Sequence, residues 1–532
     1  MKKILTAILM ITFATSFNAC KKLDLAPEDY FASGNFWKNT SQVDGAMTGL
    51  HGQLRSYQFT FYQLGEMRGG TLKEGTGATG TSSLNSASII RQDLRESSPG
   101  ISDWAGLYGP IFQVNNFIYQ VKKADFLAQA DKDYYLGQAY GLRAYYYFHL
   151  YRTYGRIPLA KEPLTLTQTP TNSSQAYLPR SKSEKESLDF IKHDIDSSAN
   201  SFAGNYTSKG GKSLWSLGAT NMLKAEVYLW SAKVKIDGAA PTTTTADLST
   251  ARATLEELIP KYTLQATFPS VFASNSKGNS EIIFALRFAV GEASNNYSQF
   301  VYATSDPMAS YVNAGGGSLV PNRYQSDPTK TGDPLNLLGA GIIRYEYKYS
   351  LFETYDTAKD TRARSTFFDF YKTPIANNKF AIFTKFLGVI DNGARSFSDD
   401  VPIFRLSEAY LLLAEVKNKQ GESPATEINI VRKRAYGNSP FTPFVSSSFE
   451  ANELVIFAER GREFVGEGKR WYDLRRMQDA SGSPLAFRKD LPLVGVLDKA
   501  TEEYKLLWPI NRGTLTSDET LKNDQNPGYP GT

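Results

Sequence analysis

The feature of this sequence that most constrains its fold is a set of segments with apolar residues at helical spacing. The clearest segment spans about residues 132–154, and one side of it carries Leu136, Ala139, Tyr140, Ala144, Tyr147, Phe148 and Tyr151. Steps of three and four residues place these side chains on one face of an α-helix. Small residues on such a face let a second helix approach closely, so the pattern predicts helices that pack in pairs.

Similar segments recur along the chain. We predict further helices at about 43–57, 111–121, 184–200, 214–235, 247–259, 403–419, 423–435 and 449–466. Short turns join these helices in pairs, which is typical of tetratricopeptide units of about 34 residues, here degenerate and interrupted. One pair cannot bury its apolar side alone, so the pairs stack into a solenoid. The expected fold is mostly α, with tetratricopeptide-like helical pairs at about 103–262 and 403–476.

The stretch from about 263 to 400 differs from the helical parts. Residues 281–288 read EIIFALRF and are strand-like, whereas three consecutive glycines at 315–317 and many Asn, Asp and Pro residues predict long loops. Loops of this length inside a compact protein are usually functional or disordered. We expect an irregular, loop-rich insertion with small strands. Residues 69–83 are also predicted to be a loop.

The amino terminus predicts export and lipid attachment. Residues 4–17 form an apolar run behind Lys2 and Lys3, too short to span a membrane and typical of a secretory leader. The run ends at Ala19, just before Cys20, which is the only cysteine of the chain. This arrangement resembles the bacterial lipoprotein signal, in which the cysteine becomes the acylated first residue. An ordinary signal peptide with a chance cysteine is the alternative.

These observations divide the chain into three parts. Residues 1–19 are predicted to be the signal peptide, residues 20–36 a lipidated tether, and residues 37–532 a single domain. Two or more acyl chains hold a protein stably on a membrane surface, whereas one chain binds only marginally. The predicted location is therefore a membrane surface.

Composition excludes several classes of protein. The chain has 532 residues, of which 41% are hydrophobic and 21% charged, as in an ordinary globular protein. The formal net charge is +5, which gives no electrostatic case for a nucleic-acid partner. A single cysteine allows no intrachain disulfide and no cysteine zinc site, and the three histidines lack the spacing of metal ligands. We expect no metal and no cofactor.

Two short motifs match nucleotide-binding patterns only superficially. Residues 75–80, GTGATG, fit the dinucleotide fingerprint, but neither a strand nor an apolar helix flanks them. Residues 211–213, GKS, resemble the end of a phosphate-binding loop, but Tyr206 stands where its first glycine should be. No metalloprotease or serine-hydrolase motif occurs. A pair of carboxylates for glycoside hydrolysis remains open, because such pairs meet in space and not in sequence.

Residues 459–476, ERGREFVGEGKRWYDLRR, concentrate charge around Trp471 and Tyr472. We predict a network of salt bridges, with Glu459 near Arg462 and Glu463 near Lys469. If exposed, each pair would contribute under about 1 kcal/mol. A ligand site is the alternative interpretation.

At this point the sequence resembles the SusD/RagB family of outer-membrane lipoproteins from Bacteroidetes. The resemblance covers essentially the whole chain and rests on segments in order: Leu23, Asp24 and Pro27 after the cysteine, then 65–69 (GEMRG), 104–116, 143–147 (RAYYY), 154–159 (YGRIPL), 404–411 (FRLSEAYL), 459–476, 508–510 (WPI) and 526–529 (NPGY). It implies an all-helical scaffold with a ligand-binding part on one side. It also implies a partner, a SusC-like TonB-dependent transporter, over which the lipoprotein acts as a lid.

The resemblance places the ligand loops in the insertion and just after the first helix, near residues 68–85. Aromatic rings contact the apolar faces of sugars, while Asn and Arg bind the hydroxyl groups. Both kinds of residue alternate in the insertion, although the divergent loops allow no residue-by-residue alignment. The candidate ligand contacts are Arg68, Tyr297, Tyr302, Tyr311, Asn313, Arg323 and Tyr324. Trp104 is expected to lie in the core.

The function that the resemblance implies is binding without catalysis. Such a lipoprotein captures an oligosaccharide, or in some relatives a peptide, and delivers it to the transporter from the outer membrane. Two other classes stay open. One is a surface-tethered glycoside hydrolase, which needs two carboxylates facing each other across a cleft. The other is a tetratricopeptide scaffold for protein partners.

Overall fold

The computed structural model describes residues 36–74, 86–101, 105–163, 177–301, 322–324, 341, 344–372 and 379–530. Within them the chain is mostly helical, as predicted. The first eight helices are α1 (Thr40–Ser56), α2 (Gln58–Glu66), α3 (Ser86–Ile90), α4 (Ala105–Lys123), α5 (Gln129–Tyr154), α6 (Glu184–Phe202), α7 (Leu217–Lys233) and α8 (Thr244–Leu258). The next nine are α9 (Pro269–Phe272), α10 (Tyr349–Phe352), α11 (Thr361–Thr366), α12 (Leu406–Lys419), α13 (Ala425–Tyr436), α14 (Phe449–Glu463), α15 (Arg470–Arg476), α16 (Lys499–Glu502) and α17 (Arg512–Ser517).

Capping residues explain where several long helices begin and end. Ser183 precedes α6, and its side chain accepts a hydrogen bond of 3.0 Å from the backbone N–H of Glu186. Ser448 caps α14 in the same way. Helix α5 ends at Gly155, whose φ of 72° suits a residue without a side chain. These local signals place the helix boundaries within a few residues of the predicted ones.

The helices pack in sequence into one stack. Helix α4 packs against α5, α5 against α6, α6 against α7 and α7 against α8. Small residues allow close approach, as predicted: a Cβ on Gly141 of α5 would lie 2.0 Å from the indole Nε1 of Trp215. Helix α8 then packs directly against α12, which follows the insertion, and α12 packs against α13 and α14. The stack is therefore continuous across the insertion.

Short antiparallel strands lie mostly in the insertion, except that the first comes from the amino-terminal part and the last follows the insertion directly. They are β1 (Leu72–Glu74), β2 (Ile282–Leu286), β3 (Asn322–Tyr324), β4 (Tyr345–Tyr347), β5 (Phe367–Lys372), β6 (Lys379–Phe383), β7 (Val389–Asp391), β8 (Ala394–Ser396) and β9 (Val401–Arg405). They form the pairs β1–β4, β2–β9 and β7–β8 and the three-stranded sheet β3–β5–β6. The predicted strand at 281–288 is confirmed as β2. Two predictions are wrong: residues 72–74 are a strand and not a loop, and the helix predicted from 403 begins only after β9.

The charged segment 459–476 is buried, which corrects the expectation of weak, exposed pairs. Glu463 is fully buried and contacts three arginines: Arg405 at 2.6 Å, Arg362 at 3.1 Å, and Arg434. Burial alone would raise the pKa of Glu463, but these guanidinium groups hold it well below its usual range. The ion pairs join α14 to α11, β9 and α13, so they connect the insertion to the helical stack.

The individual pairs differ partly from the predicted ones. Glu459 and Arg462 form the predicted contact, at 2.7 Å. Lys469 does not pair with Glu463, because it contacts Glu408 at 3.0 Å and Glu226 at 3.5 Å on the other side of the segment. The packing of α12 and α7 against this segment selects those partners.

We predict that Glu463→Gln lowers the free energy of unfolding by about 3–5 kcal/mol, because it leaves three buried arginines without their shared carboxylate. Urea unfolding followed by circular dichroism measures the change. Glu450→Gln is the matched control on the same helix, since Glu450 pairs with the partly exposed Arg488 and should cost under about 1 kcal/mol. Equal stability of the two variants would show that the buried network does not hold α14 in place.

Candidate ligand-binding site

The structure describes only part of the predicted ligand-binding set. Tyr302, Tyr311 and Asn313 lie outside the described residues, as do Cys20 with its leader, Trp104 and the 75–80 motif. Arg323 and Tyr324 belong to β3, where the backbone of Arg323 pairs with Tyr371 of β5. Their side chains are not described. These residues therefore stay predictions.

Arg68 is a core residue, which corrects its assignment as a ligand contact. Its side chain is fully buried and lies 3.9 Å from the centre of the Trp471 ring. The guanidinium donates to Gln92 Oε1 at 2.7 Å and to the carbonyl of Lys505 at 2.6 Å. Desolvation lowers its pKa to about 9. Arg68 therefore connects the end of α2 to the segment around Lys505 and does not face a ligand.

Tyr297 is also buried and is corrected in the same way. It is only 3% exposed, and its hydroxyl donates a hydrogen bond to the carbonyl of Gly466. Its ring centre lies 4.6 Å from that of Phe386. Burial raises the pKa of the Tyr297 hydroxyl well above its usual value. The residue fastens the insertion to the charged segment.

Tyr297 belongs to a larger group of packed rings, which we call the aromatic floor. Its members come from α2, the turn Asn296–Phe300, β4, β5, β6 and the turn after β6: Phe59, Tyr62, Tyr297, Phe300, Tyr345, Tyr347, Phe367, Phe383 and Phe386. Ring centres such as those of Tyr62 and Phe300 lie 5.4 Å apart, edge to face, as aromatic pairs prefer. Many aromatic residues of this part thus pack one another.

One edge of this floor brings together described residues next to three stretches that lie outside the described residues. In the pairing of β1 with β4, Glu74 lies opposite Tyr345, so the end of β1 and the start of β4 are neighbours. The backbone N–H of Arg344 donates to the carbonyl of Gln299 at 2.9 Å, which brings the end of the 296–300 turn to the same place. The described residues just before 75–85, just before 302–321 and just beyond the end of 325–340 therefore lie close together, and this edge is the candidate site.

Glu66, the last residue of α2, lies beneath that edge. Its carboxylate accepts hydrogen bonds from the Tyr347 hydroxyl at 3.2 Å and from the backbone N–H of Gly466 at 3.3 Å. The Tyr347 hydroxyl is also 3.1 Å from that of Tyr62. Burial raises the pKa of Glu66 to about 7. Its charge therefore changes near neutral pH, directly under the strand pair that carries the candidate site.

A separate cleft of about 700 Å³ opens at the carboxyl end of α5. It lies between the ends of α5 and α7, the start of α6 and the carboxyl-terminal segment 526–528. Arg180, Glu184, Trp230, Arg475 and Tyr504 are among its lining residues. Sequence reasoning missed this cleft, because it used 154–159 and 526–529 only as signs of a resemblance. Two such segments, far apart in the sequence, were the available signal.

Among the described residues, no group of three or more His, Cys, Asp or Glu side chains could hold a metal ion. None of the helices in the described ranges is both long and apolar enough to cross a membrane.

We predict that Glu66 makes stability fall as the pH rises. A carboxyl with a pKa near 7 in the folded state and 4.5 when unfolded holds its proton longer in the native protein, so unfolding becomes easier between pH 4.5 and 7. The full effect of such a shift is about 3 kcal/mol. Glu66→Gln should remove this part of the difference in stability between pH 5 and pH 8, measured by chemical denaturation. The exposed Glu292→Gln should not, and an unchanged pH profile for Glu66→Gln would contradict the assignment.

Comparisons with known proteins agree with this architecture. One family model, described as the SusD family, matches residues 373–529. A second, described as starch-binding associating with outer membrane, matches residues 68–263. SusD-like protein P38 from Formosa agariphila is 24% identical over 526 residues, which are 95% of each chain.

Solved structures extend the likeness to nearly the whole length. A SusD superfamily protein from Bacteroides fragilis is 35% identical, with 93% of this chain and 100% of that chain covered and a TM-score of 0.82. NanU from B. fragilis is 33% identical, with 95% and 100% covered and a TM-score of 0.78. The identity and the coverage of these two structures confirm the predicted resemblance, and the chain belongs to the SusD family.

Proposed function

We propose that this protein binds an oligosaccharide at the outer membrane and delivers it, chemically unchanged, to a SusC-like TonB-dependent transporter. The observation that carries the proposal is membership of the SusD family over nearly the full length. One matching family model is described as starch-binding associating with outer membrane. A structural neighbour from Bacteroides uniformis is named surface glycan-binding protein A, although at 18% identity it supports the fold alone.

The edge of the aromatic floor is the proposed capture site. The three stretches beside it in the sequence contain Tyr302, Tyr311 and Asn313, and Arg323 and Tyr324 lie on the strand between two of them. Sugars offer apolar faces and hydroxyl groups, which suit this mixture of aromatic and polar residues. The packed rings below the edge hold the attachment points in place. Less conformational freedom is then lost when a ligand binds.

The hydrogen bonds and ion pairs of the carboxylates support binding over catalysis. In the large cleft, the Glu184 carboxylate accepts the backbone N–H of Asp237 at 2.7 Å, and Asp237 accepts that of Glu184 at 2.7 Å. This reciprocal pair joins the start of α6 to the segment after α7, and it does not place an acid and a base across a sugar-sized gap. Glu459 and Glu463 are occupied by arginines. A hydrolase remains the second candidate only if product release is observed.

The decisive experiment incubates the purified protein with panels of oligosaccharides and peptides and measures both binding and products. We expect oligosaccharide binding without cleavage. Replacing Tyr302 and Tyr311 together by Ala should weaken that binding by about tenfold with unchanged thermal stability. Tyr177→Ala is the control, because Tyr177 is an exposed tyrosine outside the insertion. Tyr297 is left intact, since its loss would disturb the aromatic floor.

Each other outcome identifies another function. Release of shortened sugars would establish a hydrolase, and binding of peptides alone would place the protein with peptide-binding relatives. Recovery of only soluble proteins by the anchored chain, with no large barrel transporter, would favour a tetratricopeptide scaffold. Full affinity in the double tyrosine variant would remove both residues from the site.

The proposed lipid anchor has its own test. We predict that Cys20→Ala shifts the protein from the membrane fraction to the soluble fraction, because no sulfur remains to carry the acyl group. Cell fractionation followed by immunoblotting measures the shift. Ser16→Ala, a change within the same leader, should leave the protein in the membrane fraction. Retention of the cysteine variant on the membrane would overturn the anchor.

A further inference from the structure

The cleft at the end of α5 is lined by a buried arginine, Arg475, that forms no ion pair among the described residues. In the charged segment, eight of the ten charged residues form ion pairs with neighbouring side chains: Glu459, Arg460, Arg462, Glu463, Glu467, Lys469, Asp473 and Arg476. Arg470 instead donates to two backbone carbonyls. Arg475 differs from the other nine: within the described residues it forms no ion pair and donates one hydrogen bond, to the carbonyl of Arg152.

The surroundings of Arg475 leave its remaining donors available. The residue is 6% exposed, and its buried Nε has no hydrogen-bond partner among the described residues. A guanidinium has five N–H donors, and an unsatisfied buried donor is costly. Glu184 is the acidic group of the cleft that acts on it electrostatically, but a carboxylate oxygen of Glu184 is already bound to the Asp237 backbone. Arg475 thus lines the cleft as a positive group whose one hydrogen bond among the described residues goes to a backbone carbonyl and which forms no ion pair there.

The other cations around the cleft already have partners. Lys233 lies 2.7 Å from both Glu415 and Glu453. Arg180 and Arg156 share the carboxylate of Asp524. These pairs neutralise the walls without reaching Arg475. An anion that enters the cleft therefore finds its strongest contact at this one guanidinium.

The walls beside Arg475 define the body of the ligand. Its guanidinium carbon lies 5.0 Å from the Trp230 ring centre, and Tyr151 and Tyr504 line the same cleft. Flat aromatic surfaces suit the apolar faces of sugar rings. A volume of about 700 Å³ is within the range of small-ligand sites and is enough for about two or three such rings. A carboxylate can accept two parallel hydrogen bonds from an arginine.

We propose that this cleft is a second binding site, which takes a carboxylated sugar with its carboxylate on Arg475. It is independent of the capture site at the edge of the aromatic floor. The carboxylate supplies the missing acceptors of the guanidinium, and the sugar ring packs between the aromatic walls. Neutral sugars lack that acceptor pair, so the cleft discriminates by charge.

Calorimetry with the full-length protein tests this proposal, with digalacturonate as the probe and neutral galactobiose for comparison. We expect the wild type to bind the acidic disaccharide at least tenfold more tightly than the neutral one. Arg475→Gln should remove at least tenfold of that affinity. Arg470→Gln is the matched control, because it removes the other arginine of the segment without an ion pair and lies outside the cleft. It should leave the affinity unchanged.

A second variant keeps the test valid if Arg475→Gln fails to fold. Lys235 is 60% exposed and lies at the cleft, 3.9 Å from Glu503. Lys235→Glu adds negative charge there without touching the core, and we expect it to weaken digalacturonate binding two- to fivefold. Replacing Tyr302 and Tyr311 by Ala should have no effect on digalacturonate binding.

Several results would overturn the proposal. These are equal affinity for the acidic and the neutral disaccharide, no binding of either, and full affinity in a folded Arg475→Gln protein. Binding of an acidic tripeptide without binding of digalacturonate would overturn the assignment to sugars. The oligosaccharide panel tests the capture site separately. A negative result for the cleft would therefore not count against the proposed capture site.

Discussion

The structure depends on the burial of one carboxylate among three arginines. Glu463 on α14 contacts guanidinium groups from α11, β9 and α13, which are far apart in the sequence. Removing such charges from water is expensive, and the cost is offset only when each group meets partners of good geometry. A small displacement of any of these elements leaves a buried charge unpaired. The network therefore defines one arrangement of the insertion on the helical stack more sharply than apolar packing alone.

The aromatic floor continues that arrangement toward the candidate site. Tyr297 joins it to the charged segment through the Gly466 carbonyl, and Glu66 joins it through the Gly466 N–H and the Tyr347 hydroxyl. Two packed layers thus lie below the edge that forms the candidate site. The polar layer fixes position, and the aromatic layer supplies contact area. A ligand bound at the edge would meet attachment points that are already in place.

The helical part could be predicted because its signal is local. Periodic apolar residues and capping serines specify helices such as α6 before any tertiary contact is known. Strands β1 and β9 could not be predicted in this way, because they are three and five residues long and exist through pairing with distant partners. For Arg68 and Tyr297, residue type suggested a binding role, but tertiary packing buries both. The partners of Lys469 could not be predicted, because they are Glu226 on α7 and Glu408 on α12, which are distant in the sequence and reach Lys469 only through helix packing.

The direct contact of α8 with α12 has a consequence for how such a protein can change. Because α8 packs directly on α12, the helical stack does not need the outer loops of the insertion between these two helices to hold it together. Natural variation can then rewrite the length and chemistry of those segments while the underlying frame keeps its shape. Relatives of this chain can therefore differ in these peripheral stretches while they share one framework.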